Sequence, residues 1–255
     1  MAISADGVHL SFDGINQVLS DVSLHVRQGE FVSLVGPSGC GKTTLLNLAA
    51  GLVPLTGKGS LNVGGQAPHQ GNSEVGYMLA RDSLLPWKTA LGNAMFGMEV
   101  RGVPRVQAEE RASSMLKEVG LAGFENTLPK ALSHGMRQRV ALARTFAMGS
   151  PLLLMDEPFG ALDAQTKLQL EDLLLRLCQQ HKQSVLFVTH DLSEAVAVSD
   201  RVVVMTSRPG RIVADIAIDL PRPRSIRELQ KDPHFHELYA QLWSHLESGW
   251  SKHEG

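Results

Sequence analysis

The sequence predicts an α/β domain: a mostly parallel sheet, a small antiparallel β-subdomain at the N-terminal end and a helical insertion in the middle. Three observations point to it. Short β-branched or apolar runs alternate with stretches of helical periodicity. The run at residues 31–35 is nearly apolar throughout, as suits a strand covered on both faces. From residue 86 to residue 147 the alternation stops, and helical periodicity continues without a convincing strand.

Taken in order, residues 8–12 and 23–26 read as the first strands. Residues 31–35 form a buried strand ending in glycine, and 42–50 a helix closed by Gly51 and Pro54. Residues 61–63 and 75–79 are strands. Within the insertion, residues 107–119 place Ala108, Ala112, Met115, Leu116 and Val119 on one side of a helix. The alternation then resumes: strand 152–155, helix 165–180, strand 185–189, short helix 193–198, strand 202–206 and a hairpin arm at 212–218. Pro221 and Pro223 break the chain before a helical tail, clearest over 236–246. The expected division is a main α/β domain at 1–221, with its helical subdomain at about 86–147, and a C-terminal tail at 222–255.

Bulk composition narrows the function classes. The 255 residues are 43% hydrophobic and 20% charged, with a formal net charge of −2. That is ordinary globular composition, with no basic stripe that would serve nucleic acid. Arg222, Arg224 and Arg227 read as a solvated, turn-flanking surface. Two cysteines, Cys40 and Cys178, make no disulfide framework and fit a reducing compartment. The N-terminal residues lack the basic start and apolar stretch of a signal peptide. No apolar run approaches the ~20 residues a transmembrane helix needs, so any membrane role requires a separate chain to do the crossing.

The strongest local signal is Gly36, Pro37, Ser38, Gly39, Cys40, Gly41, Lys42, Thr43, which fits G-x-x-x-x-G-K-[ST] and is followed by Thr44. Glycines let successive N–H groups face one point, and the helix that starts there favours an anion. Lys42 reaches β- and γ-phosphates, and the Thr43 hydroxyl is a Mg²⁺ ligand. The apolar run Leu152, Leu153, Leu154, Met155 ends in Asp156 and Glu157. Beside such a loop, Asp156 suits the Mg²⁺ shell and Glu157 suits a base that orients or deprotonates water; alone, the two acids could equally be helix caps. His190 follows a strand end and could bond a γ-phosphate or the water, although a histidine in a turn is more often merely polar surface.

The segment Leu132, Ser133, His134, Gly135, Met136, Arg137, Gln138, Arg139 resembles the LSGGQ signature of ATP-binding-cassette (ABC) proteins. Asp156, Glu157, Pro158 with Ala161, Leu162, Asp163 resembles the D-loop of that family, Thr189, His190, Asp191 its switch histidine, and Phe12 its adenine-stacking aromatic. The resemblance runs in order from about residue 8 to residue 211. It implies a P-loop NTPase core of RecA-like type, with ATP and Mg²⁺ as cofactors. It also implies a head-to-tail dimer in which Ser133 and Gly135 of one copy close over nucleotide held by Lys42 of the other, or of a related ATPase. Leu84, Leu85, Pro86, Trp87 and Ser207, Arg208, Pro209, Gly210, Arg211, Ile212 are similar to stretches of nitrate, sulfonate and taurine importers. That likeness implies a peripheral subunit on the cytoplasmic face of the inner membrane, serving permease subunits and, indirectly, a solute-binding protein. The permease would be met near Leu84 to Trp87, where the plainer alternative is a turn with Trp87 in the core.

Two positions depart from the family pattern. Ala80 stands where a glutamine is usual; a water, Arg81 or Asp82 is expected to stand in for it. His134 stands where glycine is usual, which is harmless if the position is helical and costs about 1 kcal/mol or more if it needs positive φ. Three rivals remain: a soluble ABC ATPase of translation or DNA repair, a non-hydrolytic nucleotide-binding module and a P-loop kinase. The single cassette without a long coiled coil, the retained Glu157 and His190, and the signature segment weigh against them in turn.

Overall fold

The computed structural model describes residues 1–12, 14–80, 83–160 and 162–250. Two sheets organise it. β1 (Ile3–Ser11), β2 (Gln17–Val26) and β4 (Ser60–Val63) form a three-stranded antiparallel sheet in the order β2-β1-β4. The second sheet has six strands: β3 (Phe31–Val35), β5 (Val75–Met78), β6 (Leu152–Asp156), β7 (Ser184–Val188), β8 (Arg201–Met205) and β9 (Ile212–Ala217). Their order is β5-β6-β7-β3-β8-β9, parallel except for the β8–β9 pair.

The continuous apolar runs follow from this layering, because alternate residues of each central strand enter different cores. Phe31 and Val35, Leu153 and Met155, and Val185 and Phe187 pack on one face with most of the helices. Val32 and Leu34, Leu152 and Leu154, and Leu186 and Val188 pack on the other with the antiparallel sheet and α1 (Lys42–Ala49). Both faces are buried, so no polar alternation survives.

The insertion is helical, as expected: α2 (Ala90–Val100), α3 (Arg105–Glu118), a 3₁₀ turn (Pro129–Ala131) and α4 (His134–Ala147). Ala108, Ala112, Met115, Leu116 and Val119 are all buried. The remaining helices are α5 (Ala164–His181), α6 (Leu192–Val198), α7 (Ile226–Leu229) and α8 (Pro233–Trp250). Phe235, Leu238, Leu242 and Leu246 of α8 are buried in the main core.

Several expectations need correction. β1 and β2 reach further toward the N-terminus than the short runs at 8–12 and 23–26, and β1 stops at Ser11, leaving Phe12 outside it. α7 was not foreseen, and α8 begins three residues before 236. The arginine cluster is not simply a solvated face. Arg222 pairs with Asp200 at 2.8 Å, and Arg224 donates to the carbonyls of Ala197, Ser199, Ile218 and Leu220. Five carbonyl-directed donors on one planar fork suit arginine for tying the tail to the β8 region.

Candidate functional site

Three parallel strands, β3, β6 and β7, deliver their carboxyl ends to one place, where ligands bind in open α/β sheets. β3 runs into the glycine-rich loop and α1. Gly41 caps α1 with φ 103 and no side-chain cap, so the first N–H groups of the helix stay available to an anion. A Cβ at Gly41 would also lie 2.7 Å from Leu19 Cδ2. Lys42 is buried, and its Nζ donates to the carbonyls of Gly36 at 2.7 Å and Pro37 at 3.0 Å. Its third donor faces Cys40 Sγ at 3.8 Å, so all three N–H groups of the ammonium are held within the loop.

β6 ends in Asp156, whose Oδ1 accepts from the Thr43 hydroxyl at 3.2 Å. Burial pushes the Asp156 carboxyl above its usual range, and the Thr43 bond only partly opposes that. A buried carboxylate beside a hydroxyl, short of compensating charge, suits a divalent cation. Mg²⁺ typically takes one or two carboxylates and leaves its other positions to water and phosphate. No group of three or more His, Cys, Asp or Glu placed to hold a metal ion occurs among the described residues, so an all-protein cage is not offered, and the pair fits the sparse Mg²⁺ pattern.

Glu157 follows with φ 46, in the left-handed region that an L-residue adopts only under constraint. Its N–H is held by the Val188 carbonyl at 2.9 Å, and its Oε2 lies 3.0 Å from His190 Nδ1. His190 leaves the end of β7. Beneath it, Lys167 of α5 sits 2.7 Å from Asp191, 3.6 Å from Glu194 and 3.9 Å from Glu171. Thr189 donates to Glu194. Burial and the neighbouring Glu194 push Glu171 up to about 8, and burial pushes Glu194 up to about 6. This buried charge cluster had no signal in the sequence, because its members come from two separate helices.

A cavity of about 290 Å³ lies at the junction, walled by Val18, Ser38, Gly39, Lys42, Thr43, Glu157 and Arg208, among others. Val18 and Arg208 were not singled out as site residues beforehand. Of the expected residues, Thr44 lines it as well. Cys40 is buried. Phe12 is 66% exposed and is not among the cavity walls. Neither are Ser133 and Gly135. Ser133 caps α4, accepting from Met136 N–H at 3.2 Å, a contact worth about 1 kcal/mol. Gly135 sits against α5, where a Cβ would meet Thr166 Cγ2 at 2.8 Å. His134 is the first residue of α4 and is absent from the positive-φ positions, so the side chain there costs little. Ala80 is exposed; Arg81 and Asp82, its expected stand-ins, and Ala161 lie outside the described residues.

The 84–87 stretch is pinned by Asn93 of α2, which accepts from Leu85 N–H at 2.7 Å and donates to the Leu85 and Lys88 carbonyls. Trp87 is 73% exposed, not core. Elsewhere a groove is lined by Leu52, Tyr77, Phe96, Val100 and Met148.

Residues 19–160 match a family model described as ABC transporter. The chain is 48% identical over 209 residues to an uncharacterized ABC transporter ATP-binding protein of Methanocaldococcus jannaschii, covering 82% of this chain and 78% of that one. It is 42% identical over 232 residues to the taurine import ATP-binding protein TauB of Escherichia coli, covering 89% and 91%. Among solved structures, a dimeric ATP-binding cassette in a post-hydrolysis state, bound to ADP and phosphate, matches with a TM-score of 0.72 at 29% identity. That match covers 86% of this chain and 100% of that one.

Proposed function

The chain belongs to the ABC transporter family of ATP-binding proteins, and from that premise we propose that it is the ATP-hydrolysing subunit of a solute importer, acting as a dimer that closes over nucleotide. The observation that carries the reading is the convergence of three strand ends: Thr43 on Asp156 at 3.2 Å and His190 on Glu157 at 3.0 Å, around the loop that holds Lys42.

In this reading the loop amides from Gly36 to Thr44 and Lys42 hold the phosphates, and Phe12 stacks on the base. Thr43 and Asp156 hold Mg²⁺, which when bound offsets charge on the transferred phosphoryl group. Glu157 accepts a hydrogen bond from the attacking water and takes its proton, while His190 fixes the carboxylate and the γ-phosphate. Ser133 and Gly135 do not wall their own chain's cavity, which is what a signature offered to a second copy requires. The dimeric relative supports that assembly.

The membrane partner would be a permease. No helix among the described residues is long and apolar enough to cross a membrane; likeness to importer ATP-binding proteins supports a peripheral place on the cytoplasmic face. Exposed Trp87 on a loop fastened by Asn93, and the partly apolar groove at Leu52, Tyr77, Phe96 and Val100, present surfaces for a permease segment. Likeness to the taurine importer subunit supports a sulfonate- or nitrate-like solute, delivered by a binding protein.

Glu157→Gln tests the scheme. Phosphate release should fall by about 10²–10⁴-fold, and size-exclusion chromatography should show a dimer only with ATP. A monomer at saturating ATP would overturn it.

A further inference from the structure

The segment between β8 and β9, Thr206 to Arg211, has no part in the scheme above, yet it is fastened to the phosphate loop. Gly210 N–H donates to the Val18 carbonyl at 2.9 Å, and Ser20 N–H donates to the Gly210 carbonyl at 3.0 Å. Leu19 and Gly210 form a parallel bridge. Gly210 lies so close to the Cys40 carbonyl that a Cβ would collide with it. Only glycine allows that approach, and it sets the loop beside the P-loop backbone.

That placement carries Arg208 to the cavity. Its Nε donates to the Gly39 carbonyl at 2.9 Å, and the residue walls the cavity together with Ser38, Gly39, Lys42, Thr43 and Glu157. The guanidinium makes no further hydrogen bond and no ion pair among the described residues. One edge of the fork is therefore spent on the loop, and the terminal N–H groups are left over. A planar, permanently charged fork with free donors is suited to phosphate oxygens, and it does not need to move far to meet them.

We propose that Arg208 is a nucleotide-binding residue that contacts the terminal phosphates, a second cation beside Lys42, supplied by the β8–β9 loop. This rests on the cavity being the nucleotide site. The contact explains a feature the hydrolytic scheme leaves idle, the tight locking of that loop to the P-loop: a brace through Gly210 keeps the guanidinium from drifting into solvent. Among the described residues Glu157 is the one carboxylate on the cavity wall, and Arg208 adds a second positive charge to that wall beside Lys42.

The test is calorimetric titration of the full chain with ADP and AMP at two salt concentrations, for wild type, Arg208→Ala, Arg208→Gln and Arg208→Lys, each checked by thermal melting. Gln can still donate to the Gly39 carbonyl but carries no charge, so it separates bracing from phosphate binding. ADP affinity is expected to fall about 3- to 10-fold in the Ala and Gln variants. AMP should change less than about twofold, Lys should lie nearer wild type, and the salt dependence of ADP binding should flatten in the uncharged variants. The proposal is overturned if the Gln variant binds ADP like wild type, or if AMP weakens as much as ADP. A wild-type chain that binds no ADP would instead sink the nucleotide site itself.

Discussion

His190 Nδ1 stands 3.0 Å from Glu157 Oε2, and the two residues leave the ends of neighbouring strands, β7 and β6. The backbone of Glu157 pays for this position with a φ of 46. Strain of this kind persists where surrounding bonds impose it, and here the Val188 carbonyl supplies one. In the proposed scheme the histidine orients the carboxylate that acts as base. His190→Ala is therefore expected to lower kcat by about 10²-fold while KM for ATP stays within about twofold, as read from steady-state phosphate release.

The buried cluster under that histidine makes stability depend on pH. Glu171 titrates near 8 instead of 4.5, so between those values the folded protein binds a proton that the unfolded chain has released. Stability from this group is lost as pH rises through that window. Lys167, Glu194, Asp191 and Asp172 face it and share the burden. Glu171→Gln should raise the unfolding free energy by about 1–3 kcal/mol at pH 8, and the gain should shrink toward pH 5. Urea unfolding at a series of pH values measures it.

Gly210 offers a packing test. A methyl there would meet the Cys40 carbonyl, so Gly210→Ala should destabilise the chain by about 1–3 kcal/mol in urea even though the substitution adds a single carbon.

Ala80 carries no group that could touch a metal or a water. In the proposed scheme, where a glutamine at this position would reach the metal and the water, Ala80→Gln is expected to raise permease-stimulated ATPase roughly tenfold, with ATP KM unchanged. Reconstituted complex in proteoliposomes gives the measurement, and equal rates would show that the position does not matter in this chain.

Much of this was legible in residue order alone. Strands buried on both faces announce themselves by apolar runs, and Lys42, Asp156 and Glu157 lie at their ends, so local pattern and site coincide. The same logic failed where partners are distant. Arg208 is an exposed turn residue in sequence; its role depends on Gly210 meeting Cys40 across 170 positions of chain. Lys167 reads as an ordinary helix surface until α6 brings Asp191 and Glu194 to it. Arg224 looked like solvated charge because nothing local shows four carbonyls converging on it.

Ser133 accepts the Met136 N–H at the head of α4 and stays outside the cavity its own chain builds. Under the proposed scheme a lone copy is half an engine: turnover per molecule should climb with concentration, so surplus subunits left without a mate in the cell would sit idle and leave its ATP untouched.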